Sequence, residues 1–316
     1  MKNGKTYIGI DIGGTNTVIG LVDSKGKCLK QKTFLTHSKE PVASFMMNLE
    51  KEITRMFNQN GNYPSGIGVG VPGANSITGF VEAPGNFNWG RINLAQMFME
   101  KYDLPVKIMN DAAVAALGEI YFGAAQDLKN FIYITLGTGV GSSTIVNGKI
   151  VTGHYGMAGE LGHTKIYPSN RMCSCGKRGC LETYVSANGI CRTVFELLST
   201  EKTESPLNNY SFNNLSPKIV TDFAHKGDAI AIEAYKYAGK ILGEKLADAV
   251  GLLNPEAIVI SGGLTAAGRF LFESMKISIE ENLLQMHKNT VEIRLSDPDI
   301  NYAVLGAASL LMKSVY

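Results

Sequence analysis

Two segments far apart in the chain share one grammar. Tyr7-Ile-Gly-Ile-Asp-Ile-Gly-Gly-Thr15 runs into Asn-Thr-Val-Ile-Gly-Leu-Val22 and the turn Asp23-Ser-Lys-Gly-Lys27. Tyr133-Ile-Thr-Leu-Gly-Thr-Gly-Val-Gly141 runs into Ser-Ser-Thr-Ile-Val146 and the turn Asn147-Gly-Lys149. Each reads as strand, glycine-rich turn, strand, hairpin turn, strand, because β-branched residues recur at strand spacing while Gly, Asn and Thr hold the turns. A repeated supersecondary unit predicts a repeated architecture. In a P-loop or a dinucleotide fingerprint a helix follows the glycines; here a strand follows. Two such turns could clasp a polyphosphate through backbone N–H groups that no side chain obstructs. Two ordinary β-hairpins are the simpler alternative.

The rest of the chain alternates helical and extended patterns. Helices are predicted over 41–58, 112–122, 186–198, 218–226, 228–252 and 303–312, and strands over 66–71, 106–109 and 257–260, the last entering Ser261-Gly-Gly-Leu264. That alternation predicts an α/β fold whose parallel portions are covered on both faces. The Ser- and Asn-rich stretch 199–216 predicts a surface excursion. At 316 residues the chain exceeds one ordinary core and predicts two domains. A net charge of +2 with no Lys/Arg block gives no footprint for nucleic acid or anionic lipid. No apolar run reaches the roughly 18 residues of a bilayer span, and the start MKNGKTYIGIDIGGT lacks the layout of a signal peptide. A cytoplasmic protein is expected, where thiols stay reduced.

Three of the five cysteines fall within Cys173-Ser-Cys-Gly-Lys-Arg-Gly-Cys180. A disulfide clamp, a redox dithiol and a metal site compete for them. A reducing compartment and an odd count disfavour disulfides, so metal binding leads. Three thiolates leave a tetrahedral zinc one ligand short, and His163, in the turn-like Gly159-Glu-Leu-Gly-His163, can supply it. Three inert thiols and an unrelated histidine are the alternative. Gly176 and Gly179 suit a tight knuckle, since they reach positive φ without steric penalty.

DIGGT at 11–15, Asn110-Asp111, LGTGVG at 136–141, GELGH at 159–163 and CSCGKRGCLE at 173–182 together resemble the ROK family of repressors, open reading frames and kinases, most closely its bacterial glucokinases. The resemblance implies two ribonuclease-H-like lobes of the actin-like ATPase superfamily, each begun by one hairpin, with the active site in the cleft between them. The last helix would cross back, giving a small lobe of 1–122 plus 303–316 and a large lobe of 123–302 that carries the zinc loop. The implied activity is ATP-dependent phosphorylation of the 6-hydroxyl of glucose to glucose 6-phosphate and ADP. N-acetylmannosamine, N-acetylglucosamine, mannose or another hexose is the alternative substrate, and a non-catalytic sugar-binding protein the alternative function. Family repressors carry a helix-turn-helix ahead of DIGGT, and the ten residues before Asp11 leave no room for one. Homodimers or homotetramers are expected.

Asp111 follows a strand and precedes a helical sequence, where the helix dipole favours an ionised carboxylate. A plain N-cap is the commoner meaning of that placement; the resemblance makes Asp111 the catalytic base. Asp11, beside the first turn, is a candidate to hold Mg²⁺ through water, against a turn-capping carboxylate, and the resemblance supports the metal role. Gly13, Gly14 and Thr15, with Gly137, Thr138 and Gly139, would contact the phosphates of ATP. Gly262 and Gly263 resemble the adenosine-side loop, though a strand-to-helix turn would look the same. The resemblance assigns the sugar to Asn86, Asn110, Asp111, Glu160, His163 and Glu182, with Asn88 as the alternative to Asn86. A structural zinc on His163, Cys173, Cys175 and Cys180 would fix two loops so that both glutamates and the second ring nitrogen of His163 face the sugar. Trp89 is read as packing.

Overall fold

The computed structural model describes residues 5–57, 63–82, 87–200 and 203–312. In chain order it contains β1 (Thr6–Ile12), β2 (Asn16–Asp23), β3 (Cys28–Leu35), α1 (Val42–Phe57), β4 (Ile67–Gly70), β5 (Val81–Glu82), β6 (Arg91–Ile92), α2 (Leu94–Tyr102), β7 (Val106–Met109) and α3 (Asp111–Phe122). Then come β8 (Phe131–Leu136), β9 (Val140–Val146), β10 (Lys149–Ile150), α4 (Glu182–Val185), α5 (Ala187–Thr200), α6 (Pro217–His225), α7 (Ala229–Leu253), β11 (Ala257–Ser261), α8 (Arg269–Asn282), β12 (Glu292–Leu295) and α9 (Tyr302–Met312). Two compact units emerge: Met1–Lys129 with Ser143–Gly159 and Asp299–Tyr316, and Asn130–Ser142 with Glu160–Pro298.

The repeat seen in the hairpins extends to whole sheets. One five-stranded sheet has the order β3-β2-β1-β4-β7 and the other β10-β9-β8-β11-β12. In the first, β1 and β2 pair antiparallel and β4 and β7 continue parallel to β1. In the second, β10 pairs antiparallel with β9, and β11 and β12 continue parallel to β8.

Strand alternation decides what each face of the first sheet meets. Ile8, Ile10 and Ile12 of β1, with Ile67 and Val69 of β4, pack against Phe45, Leu49 and Ile53 of α1 and Leu94 and Phe98 of α2. The opposite face carries Tyr7, Val18, Val22 and Met109 and, between them, glycine. A Cβ on Gly9 would stand 2.0 Å from the Val304 carbonyl oxygen, and one on Gly68 1.7 Å from that of Ala307. From the far side of α9, a Cβ on Gly306 would stand 1.7 Å from the Val114 oxygen, and one on Gly118 2.0 Å from the Tyr302 oxygen. Glycine weakens a strand, and its recurrence here marks close backbone approach: α9 is wedged between sheet and α3, main chain against main chain.

In the second unit α7 contributes more residues to the core than any other helix, Tyr235, Leu242, Leu246 and Val250 among them. It approaches α8 closely at Gly239 and Gly243. The stretch 199–216, whose residues 201–202 lie outside the described ones, is exposed along most of its length, as expected of a surface excursion, and Leu207 and Leu215, buried in this core, anchor it. Its polar residues act as caps, Ser205 Oγ accepting from the Leu207 N–H and Ser216 Oγ from the Ile219 N–H. The predicted helices and strands are present, with α2, α4, α8, β5, β6 and β12 in addition.

Candidate active site and metal centre

Asp11 lies on the glycine face of β1, and its partner across the parallel ladder is Gly70. A Cβ on Gly70 would stand 3.5 Å from the Asp111 Cα, so the absent side chain leaves the space into which the start of α3 fits. The N-cap of α3 is Asn110, whose Oδ1 accepts from the Ala112 N–H at 3.0 Å. Asp111 is therefore a first-turn residue rather than the cap. Burial, and then the charge of Asp111, push the Asp11 carboxyl up to about 7. A divalent cation beside this pair would relieve both causes, and an all-oxygen donor set suits Mg²⁺.

In the first glycine-rich turn the Gly13 N–H donates to the Asn16 carbonyl at 2.9 Å. The Thr36 hydroxyl donates to the Gly13 carbonyl at 2.7 Å, and the Thr36 N–H to the Thr15 carbonyl at 2.9 Å. In the second turn the Gly137 N–H donates to the Gly139 carbonyl at 3.0 Å and the Ala187 N–H to the Gly137 carbonyl at 2.8 Å. The Val140 N–H donates to Glu182 Oε2 at 3.0 Å. Among the described residues, the N–H groups of Gly14 and Thr15, and of Thr138 and Gly139, have no protein partner. Each turn thus presents consecutive free donors, the makings of an anion nest. A Cβ on Gly139 would stand 2.6 Å from Glu182 Oε2. Gly262 takes φ 98°, and a Cβ there would stand 2.3 Å from the Leu136 oxygen.

His163 ends a 3-10 turn, Leu161–His163, that is fastened to β9. The Leu161 N–H donates to Ser142 Oγ at 3.0 Å, and a Cβ on Gly162 would stand 2.2 Å from the Val140 oxygen. The thiol knuckle turns at Gly176 (φ 86°) and Gly179 (φ 80°), as expected for these glycines. The donor atoms of His163, Cys173, Cys175 and Cys180 all lie within 4.8 Å of one another. Cys173 Sγ is 3.6 Å from His163 Nδ1, and Cys175 Sγ is 3.6 Å from Cys180 Sγ. A tetrahedral zinc with Zn–S bonds of about 2.3 Å has S···S edges of about 3.8 Å, so the set is already gathered at zinc spacing. Burial, reinforced by the neighbouring thiols, pushes Cys180 up to about 12, and burial raises Cys173 as well. Cys175 shifts the other way: burial acts upward on it, but the Lys177 backbone hydrogen bond, the other two thiols and the Lys177 charge lower it. Three sulfurs and one imidazole nitrogen at this spacing fit zinc.

The second nitrogen of His163, Nε2, lies 3.9 Å from Glu160 Oε2, and Glu160 is exposed. Glu182 opens α4 and reaches both ways: besides holding the Val140 N–H, its Oε1 accepts from the Ser174 hydroxyl at 3.4 Å. Asn86 lies outside the described residues. Asn88 donates through Nδ2 to the Lys39 carbonyl at 3.3 Å. Trp89 packs, its ring centroid 4.9 Å from that of Phe45 and 4.6 Å from that of Phe87. Sequence reasoning missed two supports. One is Thr36. The other is Arg171, buried, whose guanidinium donates to the Thr183 carbonyl at 2.8 Å, Thr193 Oγ1 at 3.0 Å and the Glu196 carboxylate, binding the knuckle to α4 and α5. Neither belongs to a glycine or thiol motif, so only their three-dimensional partners reveal them.

The model of the ROK family matches residues 7–314. A glucokinase of Halalkalibacterium halodurans is 34% identical over 311 residues, covering 96% of this chain and 94% of that one. A glucokinase of Thermotoga maritima is 31% identical over 316 residues, covering 98% of each. The crystal structure of a ROK family glucokinase from Streptomyces griseus in complex with glucose and AMPPNP is similar at a TM-score of 0.84 and 27% identity, covering 96% of this chain and 98% of that one.

Proposed function

The chain belongs to the ROK family, and from that premise we propose that it is an ATP-dependent glucokinase. The observation that carries the reading is the pairing, within one unit, of the Asp11 and Asp111 carboxylates with the free N–H donors of Gly14 and Thr15. That combination suits phosphoryl transfer, where little covalent chemistry falls to the protein and positioning and charge do most of the work. Asp111 accepts the proton of the C6 hydroxyl as that oxygen bonds to the γ-phosphorus. The bond from the γ-phosphorus to its bridging oxygen breaks, and ADP leaves. Gly13, Gly14 and Thr15 of the first turn and Gly137, Thr138 and Gly139 of the second bind the phosphates, and Gly262 and Gly263 lie toward the adenosine. Asp11 would hold Mg²⁺, and that ion would supply neutralisation of the phosphate charge.

The sugar hydroxyls are read by Asn86, Asn110, Asp111, Glu160, His163 and Glu182, side chains able to accept and orient hydrogen bonds around a ring. Zinc on His163, Cys173, Cys175 and Cys180 is structural: it holds the loops that carry Glu160 and Glu182 and performs no step. The lobes of the enzyme are 1–122 with 303–316, and 123–302. A homodimer or homotetramer in the cytoplasm completes the proposal; among the described residues no helix is long and apolar enough to cross a membrane.

The test is ADP release with ATP and Mg²⁺, comparing kcat/KM for glucose, mannose, fructose, N-acetylglucosamine and N-acetylmannosamine. Preference for glucose is the expected result. Preference for an N-acetyl sugar would keep the mechanism and move the substrate. Zinc-loaded protein that turns over none of these sugars would refute the kinase reading in favour of a binding protein.

A further inference from the structure

The first phosphate turn is held by a residue outside its motif. In a tight four-residue turn the first carbonyl commonly accepts from the N–H three residues on; here that would be the Asn16 N–H donating to the Gly13 carbonyl. Among the described residues only the reverse bond is made, from the Gly13 N–H to the Asn16 carbonyl. The Gly13 carbonyl accepts instead from the Thr36 hydroxyl, at 2.7 Å. A second hydroxyl stands behind the first: Thr17 Oγ1 and Thr36 Oγ1 are 2.8 Å apart. A hydroxyl has one proton to give, and that of Thr36 goes to Gly13. Thr17 is therefore the donor within the pair, so the chain runs from Thr17 to Thr36 to the Gly13 carbonyl. Both threonines are buried, Thr17 at 0% and Thr36 at 1% exposure. Hydroxyls so placed are costly unless bonded, and this pair spends its bonds on one loop carbonyl.

Peptide planarity turns that anchor into a direction. In a trans peptide the carbonyl and the N–H point opposite ways. The peptide whose oxygen is drawn toward Thr36 carries the Gly14 N–H, which must face away from Thr36. The Thr15 carbonyl, taken by the Thr36 N–H at 2.9 Å, orients the Asn16 N–H in the same manner. Thr36 thus grips the back of the turn at two carbonyls and sets the donors on its front.

We propose that Thr36 is a positioning residue for phosphoryl transfer: its hydroxyl, oriented by Thr17, holds the Gly13 carbonyl back so that the N–H donors of the turn face the phosphates of ATP. The inference rests on the kinase reading. Thr36→Val keeps the shape and the backbone N–H while removing the hydroxyl, and Thr36→Ser restores the hydroxyl. Steady-state kinetics should show kcat/KM for ATP reduced about 10- to 100-fold in Thr36→Val, the scale of a misaimed reacting group, with KM for glucose within about twofold of wild type. Direct binding should weaken for ATP and stay unchanged for adenosine, which has no phosphate. Thr36→Ser should recover to within a few-fold of wild type. If Thr36→Val does not fold, Thr17→Val, which only frees the Thr36 rotor, decides, with the same pattern at smaller amplitude. Wild-type protein without ATP turnover would overturn the kinase reading and this inference with it. An active wild type with unchanged ATP kinetics in the valine variants would overturn the inference alone, as would equal weakening of ATP and adenosine.

Discussion

Gly68→Ala tests the claim that α9 lies main chain to main chain on the first sheet. The added Cβ would stand 1.7 Å from the Ala307 carbonyl oxygen and 2.5 Å from its carbon. Ordinary contact needs about 3.5 Å, so α9 must retreat by roughly 1.5–2 Å. It has nowhere to go: on its far side Gly306 and Gly118 already hold it against α3 at similar closeness. Overpacking costs about 1–3 kcal/mol when side chains can rearrange. Here only main chain is in contact, which puts the cost at about 3 kcal/mol or above. At roughly 2–4 °C of Tm per kcal/mol for units of this size, the loss is about 6–12 °C. The assay is thermal melting by circular dichroism, with Gly251→Ala as control. That glycine is in α7 with nothing within 4 Å of its would-be Cβ, so alanine should leave stability unchanged or raise it by up to about 1 kcal/mol, and Tm with it. A Gly68→Ala protein melting within a degree of wild type would refute the close-approach argument.

Asp111→Asn should lower kcat by about 10²–10⁴ while ATP binding and the circular dichroism spectrum stay as in wild type; near-normal turnover would remove Asp111 from its role as base. The raised Asp11 carboxyl means the folded protein holds a proton that the unfolded chain has released. Stability measured by urea melts without added Mg²⁺ should therefore fall as pH rises from about 4 to about 7, by at most roughly 4 kcal/mol. Asp11→Asn should abolish that slope and Asp111→Asn reduce it, burial being the larger cause; parallel curves for wild type and Asp11→Asn would count against the assignment. Cys175→Ala should lose zinc by elemental analysis and raise KM for the sugar. In the wild type zinc retention should weaken as pH falls, because protons compete for the thiolates.

Much of this was legible in the sequence because its signals are local. The two glycine turns, the thiol knuckle and the helices 41–58 and 228–252 each announce themselves within one window. What escaped notice depends on partners far along the chain. Thr36 meets Gly13 from the end of the next-but-one strand, and Glu182 reaches back to the Val140 N–H. The strand glycines 9 and 68 read only as weak strand residues until α9 is seen against them. Polarity marked the exposed stretch 199–216 but not its anchors, Leu207 and Leu215, nor the caps supplied by Ser205 and Ser216. The start of α2 did carry a signal: Asn93, whose Oδ1 accepts from the N–H of Gln96, in the spacing of a capping box.

The position of α9 also sets an order of events during synthesis. About 180 residues separate α3 from α9, and at roughly 5–20 residues per second the ribosome needs on the order of 10–40 s to make them. Through that interval the first sheet has its α1 and α2 face covered, and on its other face α3 meets the Gly70 end while the place of α9 is still open, the chain of the second unit being made meanwhile. A waiting β-surface of Ile and Val would invite misassembly. This one has glycine at positions 9, 20 and 68 between Tyr7, Val22 and Met109, so the feature that seats α9 also leaves fewer apolar side chains for another chain to grip before it arrives.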